Sequence, residues 1–166
     1  MNETMRMLVR YNAWANRLTF DAVAALPEGE ATRERPSLFR NMVHTLNHNH
    51  VIGLIWQAHL EGRSHGFTAR NTPDHPPLAE LQEKQAALDA WYVAQSDSLS
   101  AAALDEKVQF TLIGGNRGEM TRAEILLHFV NHTTYHRGFV ADLFYQVPAR
   151  APLTDLPVFL REYRAG

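Results

Sequence analysis

Apolar positions recur with helical spacing over four long stretches, broken once by a short alternating stretch and followed by a short helical tail. From about Thr4 to Leu26, Leu8, Tyr11, Ala15, Leu18, Ala22 and Ala25 share one seam that ends at Pro27, which predicts a first helix. Trp14 lies beside that seam and reads as core packing. A second helix is expected from Ser37 as N-cap to Gly62 just past its end, apolar almost all round and so covered on most sides. A third, from about Leu78 to Leu99, buries Leu81, Leu88, Tyr92 and Leu99 and turns acidic and amide residues outward.

The fourth stretch, Thr121 to Tyr145, opens with Thr121 and Glu124 at the spacing of a capping box. It then advances through Ile125, Phe129, His132, His136, Phe139 and Leu143 in steps of four and three. Before it, Lys107 to Met120 alternates and then turns at Gly-Gly-Asn-Arg-Gly, a β-hairpin too small to stand without the helices. Residues 62–77, rich in turn formers, read as a loop crossing one end of the bundle, and VFLREY after the proline-rich segment 146–157 as a tail folding back over it. The fold class is therefore all-α: a four-helix bundle with a short β-hairpin before the last long helix, one domain over 1–166.

Composition narrows the function. A formal charge of −2 with interspersed signs leaves no basic stripe for nucleic acid. The absence of cysteine excludes disulfides, thiolate metal sites and a cysteine nucleophile. No apolar run reaches membrane-spanning length, and the polar N-terminus is unlike a secretory signal, so the expectation is a soluble cytoplasmic protein.

Nine histidines are the conspicuous chemistry. His132 and His136 interrupt an apolar seam one turn apart, roughly 6 Å along the axis, and lean the same way, a spacing that suits a first-row metal ion. His128 lies a turn earlier but drifts about 40° around the cylinder, which makes it a rim residue. A metal needs at least one more ligand, and the second helix offers His44 or His48, on one face with Val51 and Ile55. Periodicity does not choose between them. His50 and His59 point elsewhere and read as surface residues, as do His65 and His75 in the loop. Arg137 is expected either to bind a substrate anion or to form an ion pair, and Gly138 to mark a close helix approach.

YNAWAN in the first helix, TLNH followed by IW and LEG in the second, HFVNHTTYHRG in the fourth and DLPVFLREY near the end occur in an order and spacing that resembles the bacterial DinB/YfiT-like family of metalloenzymes. The resemblance implies that three histidines bind a divalent metal, here His48, His132 and His136, and so selects His48 over His44. Two positions depart from the pattern: Gly53 stands where many relatives have aspartate, and Tyr135 where many have histidine. Asn47, Asn131 and Tyr135 are then the nearest candidates for orienting a ligand imidazole.

Three imidazoles leave coordination positions open, the layout of catalytic sites, and suit zinc, nickel, copper or iron, of which zinc or nickel lead. The resemblance further implies a thiol S-transferase or thiol-dependent isomerase that uses a low-molecular-weight thiol such as bacillithiol, mycothiol or glutathione, and a homodimer. Two alternatives stand beside it. One is a non-catalytic, stress-linked, dimeric metal-binding protein, to be preferred if His44 or the tail capped the metal. The other is a hydrolase using metal-bound hydroxide, for which no neighbouring Glu or Asp offers a general base.

Overall fold

The computed structural model describes residues 2–164 and shows an all-α fold. Four long helices, α1 (Asn2–Ala24), α2 (Met42–Leu60), α3 (Leu78–Ser98) and α5 (Arg122–Leu143), close a ring in which α1 packs on α3 and α5, and α2 packs on α5 and α3. A one-turn helix, α4 (Ala101–Leu104), precedes β1 (Lys107–Thr111) and β2 (Arg117–Thr121), which pair antiparallel with Lys107 opposite Thr121. A final short helix, α6 (Leu156–Tyr163), follows a single turn at Phe144–Gln146.

The start of α5 is the expected capping box: Glu124 N–H donates to Thr121 Oγ1 at 3.1 Å and Thr121 N–H to Glu124 Oε2 at 2.7 Å. The start of α2 differs from expectation. It begins at Met42, with Asn41 Oδ1 accepting from His44 N at 2.7 Å, because Arg40 sits at φ 67° and breaks any helix begun at Ser37. Gly62, at φ 70°, ends α2 in the left-handed conformation that glycine allows. The one-turn α4 is too short for periodicity to signal; Ser100 caps it and Leu104 anchors it in the core.

The hairpin lies against α2, with Phe110 edge-on to Trp56 at 5.0 Å and its ring covering Gly118 on the opposite strand, where a Cβ would collide. The tail folds back on α1: Phe159 packs on Tyr11 and Trp14 at 5.8 and 5.6 Å, and Trp14 Nε1–H donates to Glu162 Oε2 at 2.9 Å. Among the described residues no helix is long and apolar enough to cross a membrane.

The apolar core comes in two parts. One contains Val9, Ile55, Leu88, Tyr92 and Phe129, the other Phe20, Met42, Leu46, Leu81, Val140 and Leu143. At the level between them every long helix turns polar residues inward: Asn12 and Asn16 from α1, His48 and His50 from α2, Gln85 and Asp89 from α3, and Thr133, His136 and Arg137 from α5. This layer corrects two expectations. In α1 the buried face runs through Val9, Asn12, Asn16 and Val23, leaving Ala25 exposed and Leu8, Leu18 and Ala22 half-buried. In α3, Gln85, Asp89 and Ser96 are buried rather than turned outward. Buried polar groups keep their place when hydrogen-bonded, and for Asn16, Gln85 and Asp89 partners come from other helices that periodicity along one helix does not see.

Candidate metal centre

Within the polar layer, α2 and α5 bring His48, His132 and His136 together. Ring centroids lie 5.1 Å apart for His48 and His132, 4.5 Å for His48 and His136, and 4.5 Å for His132 and His136. One nitrogen from each lies within 4.8 Å of the others, and the Nε2 atoms of His132 and His48 are 3.1 Å apart. The i, i+4 spacing on α5 brings two rings to one point, and the facing turn of α2 supplies the third.

The tautomer of His48 follows from its partner. Its Nδ1 lies 2.7 Å from the Arg70 carbonyl oxygen, which can only accept, so Nδ1 carries the proton and the Nε2 lone pair faces His132. His44 is turned away: its Nε2 meets the Thr72 carbonyl at 3.1 Å. Segment 70–72 is stapled to α2 by further bonds, from Asn47 Nδ2 to Asn71 Oδ1 and Thr72 Oγ1 at 2.5 and 2.6 Å, and from Asn71 Nδ2 to the His44 carbonyl at 3.0 Å. Asn47 thus orients the ligand ring indirectly, by fixing the loop that holds it. Asn131 and Tyr135 are exposed and make no hydrogen bond to the three rings. Phe39, from the turn before α2, stacks on His48 at 4.4 Å and stands 5.5 Å from His136, a contact with no sequence signal beyond an aromatic residue in a polar turn.

All three rings are neutral at pH 7. Burial, reinforced by the other imidazoles, drives His132 down to about 3 and His136 down to about 4, and burial also lowers His48. Neutral imidazoles offer lone pairs, and His136 Nδ1 is buried without any hydrogen-bond partner, a deficit of the kind that a coordinated cation removes. The residues present therefore fit a divalent ion: the three-histidine group could hold one, through an all-nitrogen donor set with no carboxylate in it.

His50, His59 and Arg137 sort differently from expectation, whereas His128 lies where it was expected. His50 and His59 are buried, not on the surface: His50 Nδ1–H donates to Gln85 Oε1 at 3.1 Å, and His59 packs edge-on to Trp56 at 5.5 Å beneath the hairpin, which covers a face that helix periodicity alone leaves open. His128 sits at the rim, half-buried, 5.6 Å from His132 and 5.0 Å from Trp56. Arg137 is buried on the side of α5 that faces α1 and, among the described residues, forms no direct ion pair. Its Nη1 donates to Asn12 Oδ1 and Asn16 Oδ1 at 2.7 and 2.9 Å, and its Nη2 to Thr134 Oγ1 at 2.8 Å. Asn16 Nδ2 and Gln85 Nε2 in turn donate to the Asp89 carboxyl at 3.0 Å each, and burial pushes Asp89 up to about 7 against those bonds and the Arg137 charge. Gly138 marks no helix contact, since a Cβ there would meet nothing within 4 Å. Gly53 does: a Cβ would stand 2.7 Å from Leu88 Cδ2 and 3.1 Å from Phe129 Cε2, so this packing has no room for an aspartate side chain.

A sequence profile of the DinB family matches residues 1–164. "Protein DinB" of Bacillus subtilis (strain 168) is 25% identical over 166 residues, which covers 96% of this chain and 95% of that protein. The profile match takes in the three converging histidines and the whole polar layer, and the chain belongs to the DinB family.

Proposed function

We propose that this protein is a divalent-metal-dependent enzyme in which His48, His132 and His136 hold the ion and a low-molecular-weight thiol is the molecule it activates, for S-transfer to an electrophile or for thiol-dependent isomerisation. One observation carries the reading: three neutral imidazoles converge, one with an unpartnered buried nitrogen, and among the described residues no fourth His, Asp or Glu joins them. A bound divalent ion supplies the Lewis acidity that deprotonates a coordinated thiol or water.

This chain's residues then have definite tasks. The Arg70 carbonyl holds His48 in the tautomer that presents Nε2. Phe39 covers one flank of the site and keeps water from His48. A cleft of about 730 Å³ lined by Leu38, Phe39, His44, Asn71 and His75 adjoins that flank and offers room for the body of a substrate. Zinc or nickel leads among the candidate ions, with iron and copper next, because imidazole suits all four.

Hydrolysis by metal-bound hydroxide ranks lower, since among the described residues no carboxylate stands with the rings to serve as general base. A purely structural or sensory ion is disfavoured because His44 is engaged with the Thr72 carbonyl and the tail packs on α1. A cytoplasmic homodimer completes the proposal; exposed Leu38, Leu127 and Tyr135, on the turn and helix that carry the site, are apolar area that a second copy would cover. The test is to load the purified protein with zinc or nickel and assay conjugation of bacillithiol, mycothiol and glutathione to an electrophilic acceptor. Metal-dependent conjugation with one of them is expected. No conjugation with any of the three would count against the transferase version.

A further inference from the structure

A second cleft opens on a different flank of α2, where that helix meets α3 and the loop between them. It encloses about 720 Å³, and its apolar lining includes Val51, Leu54, Phe67, Leu88 and Trp91. Leu54, Phe67 and Trp91 are half-buried, so part of their surface is left for whatever enters. None of His48, His132 and His136 lines this cleft.

One buried polar side chain does line it. His50 is 7% exposed, and its Nδ1–H donates to Gln85 Oε1 at 3.1 Å. That direction is set from behind, because Gln85 Nε2 donates to Asp89 Oδ1 at 3.0 Å, which leaves the amide oxygen turned toward His50. A neutral imidazole with its proton on Nδ1 keeps a lone pair on Nε2. Among the described residues no group donates to His50 Nε2, and it is not among the sealed nitrogens that lack a partner, as His59 Nε2 and His136 Nδ1 are. The ring therefore brings an open, unpartnered acceptor to an apolar cleft. An acceptor in such a place gains most from a ligand that carries an O–H or N–H.

The charges at the cleft do not suit an anion. Lys84, on its exposed edge, is held by Glu80 at 2.5 Å, and Asp74 adds a carboxylate to the lining. A carboxylate ligand would bring no proton to His50 Nε2 and would meet the charge of Asp74. A phenol brings both an apolar ring and a good donor.

We infer that this cleft is a binding site for a neutral hydroxyarene, whose ring lies against Leu54, Leu88 and Trp91 and whose hydroxyl donates to His50 Nε2. The site is independent of the proposed metal and thiol reading, because no ligand of the ion belongs to it.

The experiment titrates the full, 15N-labelled chain with p-cresol, 4-methylanisole and 4-methylbenzoate, following affinity by NMR. It is run at about pH 8, where an ordinary histidine is neutral and a phenol, with a pKa of about 10, keeps its proton. p-Cresol should bind about tenfold more tightly than 4-methylanisole, the scale of one hydrogen bond to a group otherwise unpaired, and 4-methylbenzoate should bind more weakly than p-cresol. The His50 Nε2 resonance should move with p-cresol and stay in place with 4-methylanisole. His50→Leu should remove the preference for p-cresol over 4-methylanisole. Leu54→Trp, which fills the cleft from its wall and leaves His50 in place, should weaken both, and it decides the matter if His50→Leu does not fold. Equal affinity for p-cresol and 4-methylanisole in the wild type would overturn the inference. So would a preference that survives His50→Leu, p-cresol binding unaffected by Leu54→Trp, tighter binding of 4-methylbenzoate, or no saturable binding of any of the three.

Discussion

Arg137→Met tests the polar layer. Arg137 is 3% exposed, and its guanidinium is the donor that satisfies Asn12 Oδ1 and Asn16 Oδ1. Methionine fills much of the same volume but donates nothing, so two buried acceptors lose their partner at about 1–3 kcal/mol each. Two gains oppose this loss: a buried charge no longer has to be desolvated, and the unpartnered Arg137 Nε disappears. The removed charge also leaves Asp89 without its nearby cation, which favours the protonated carboxyl. The net expectation is a destabilisation of about 3 kcal/mol, read by urea unfolding as a lower midpoint with an unchanged slope. Asn16→Leu removes one stranded acceptor but also a donor to Asp89, so it should cost less in the Arg137→Met background than in the wild type, a coupling of about 1 kcal/mol in a double-mutant cycle. Metal stoichiometry should not change, because the guanidinium faces α1 while His136 faces α2. A loss below about 1 kcal/mol, or additive effects of the two substitutions, would refute the claim that the layer is a connected network.

Gly53→Ala should lower stability by about 1–2 kcal/mol despite the higher helix propensity of alanine. The tip of Leu88 can rotate away from the new methyl, but Phe129 is stacked on Tyr92 at 3.8 Å and cannot; a raised melting temperature would contradict this packing. The metal-free protein should lose stability as pH falls from about 6.5 toward 4. His132 and His136, at about 3 and about 4 in the fold, stay unprotonated there, while the unfolded chain takes up protons near the ordinary histidine value of 6.5. Asp89 works the other way, since its folded value of about 7 exceeds 3.8 and its contribution is lost as pH rises. Six histidines are shifted down against this one buried carboxyl, so the histidine slope should win, and urea midpoints that rise on acidification would refute it.

The histidine pair on α5 was legible because capping box, apolar seam and ligand spacing all lie within one helix, where local periodicity carries the information. The choice of His48 over His44 was not legible from periodicity and came from family resemblance. The structural reason lies in the loop: Arg70 and Thr72 offer carbonyls to different histidines, and a carbonyl leaves no trace in side-chain patterning. The same limit explains the burial of Asn12, Asn16 and Asp89, since a polar residue reads as outward-facing until its partner on another helix is known. His59 was misread because the hairpin, expected to lie somewhere on the bundle, lies over that end of α2.

The central claim is that His48, His132 and His136 jointly hold one ion, and elemental analysis of protein purified without chelator tests it most directly. The wild type is expected to carry about one divalent metal ion per chain, and His132→Ala, folded by circular dichroism, to lose most of it because two imidazoles cannot complete the set. Unchanged metal stoichiometry in His132→Ala would contradict the account.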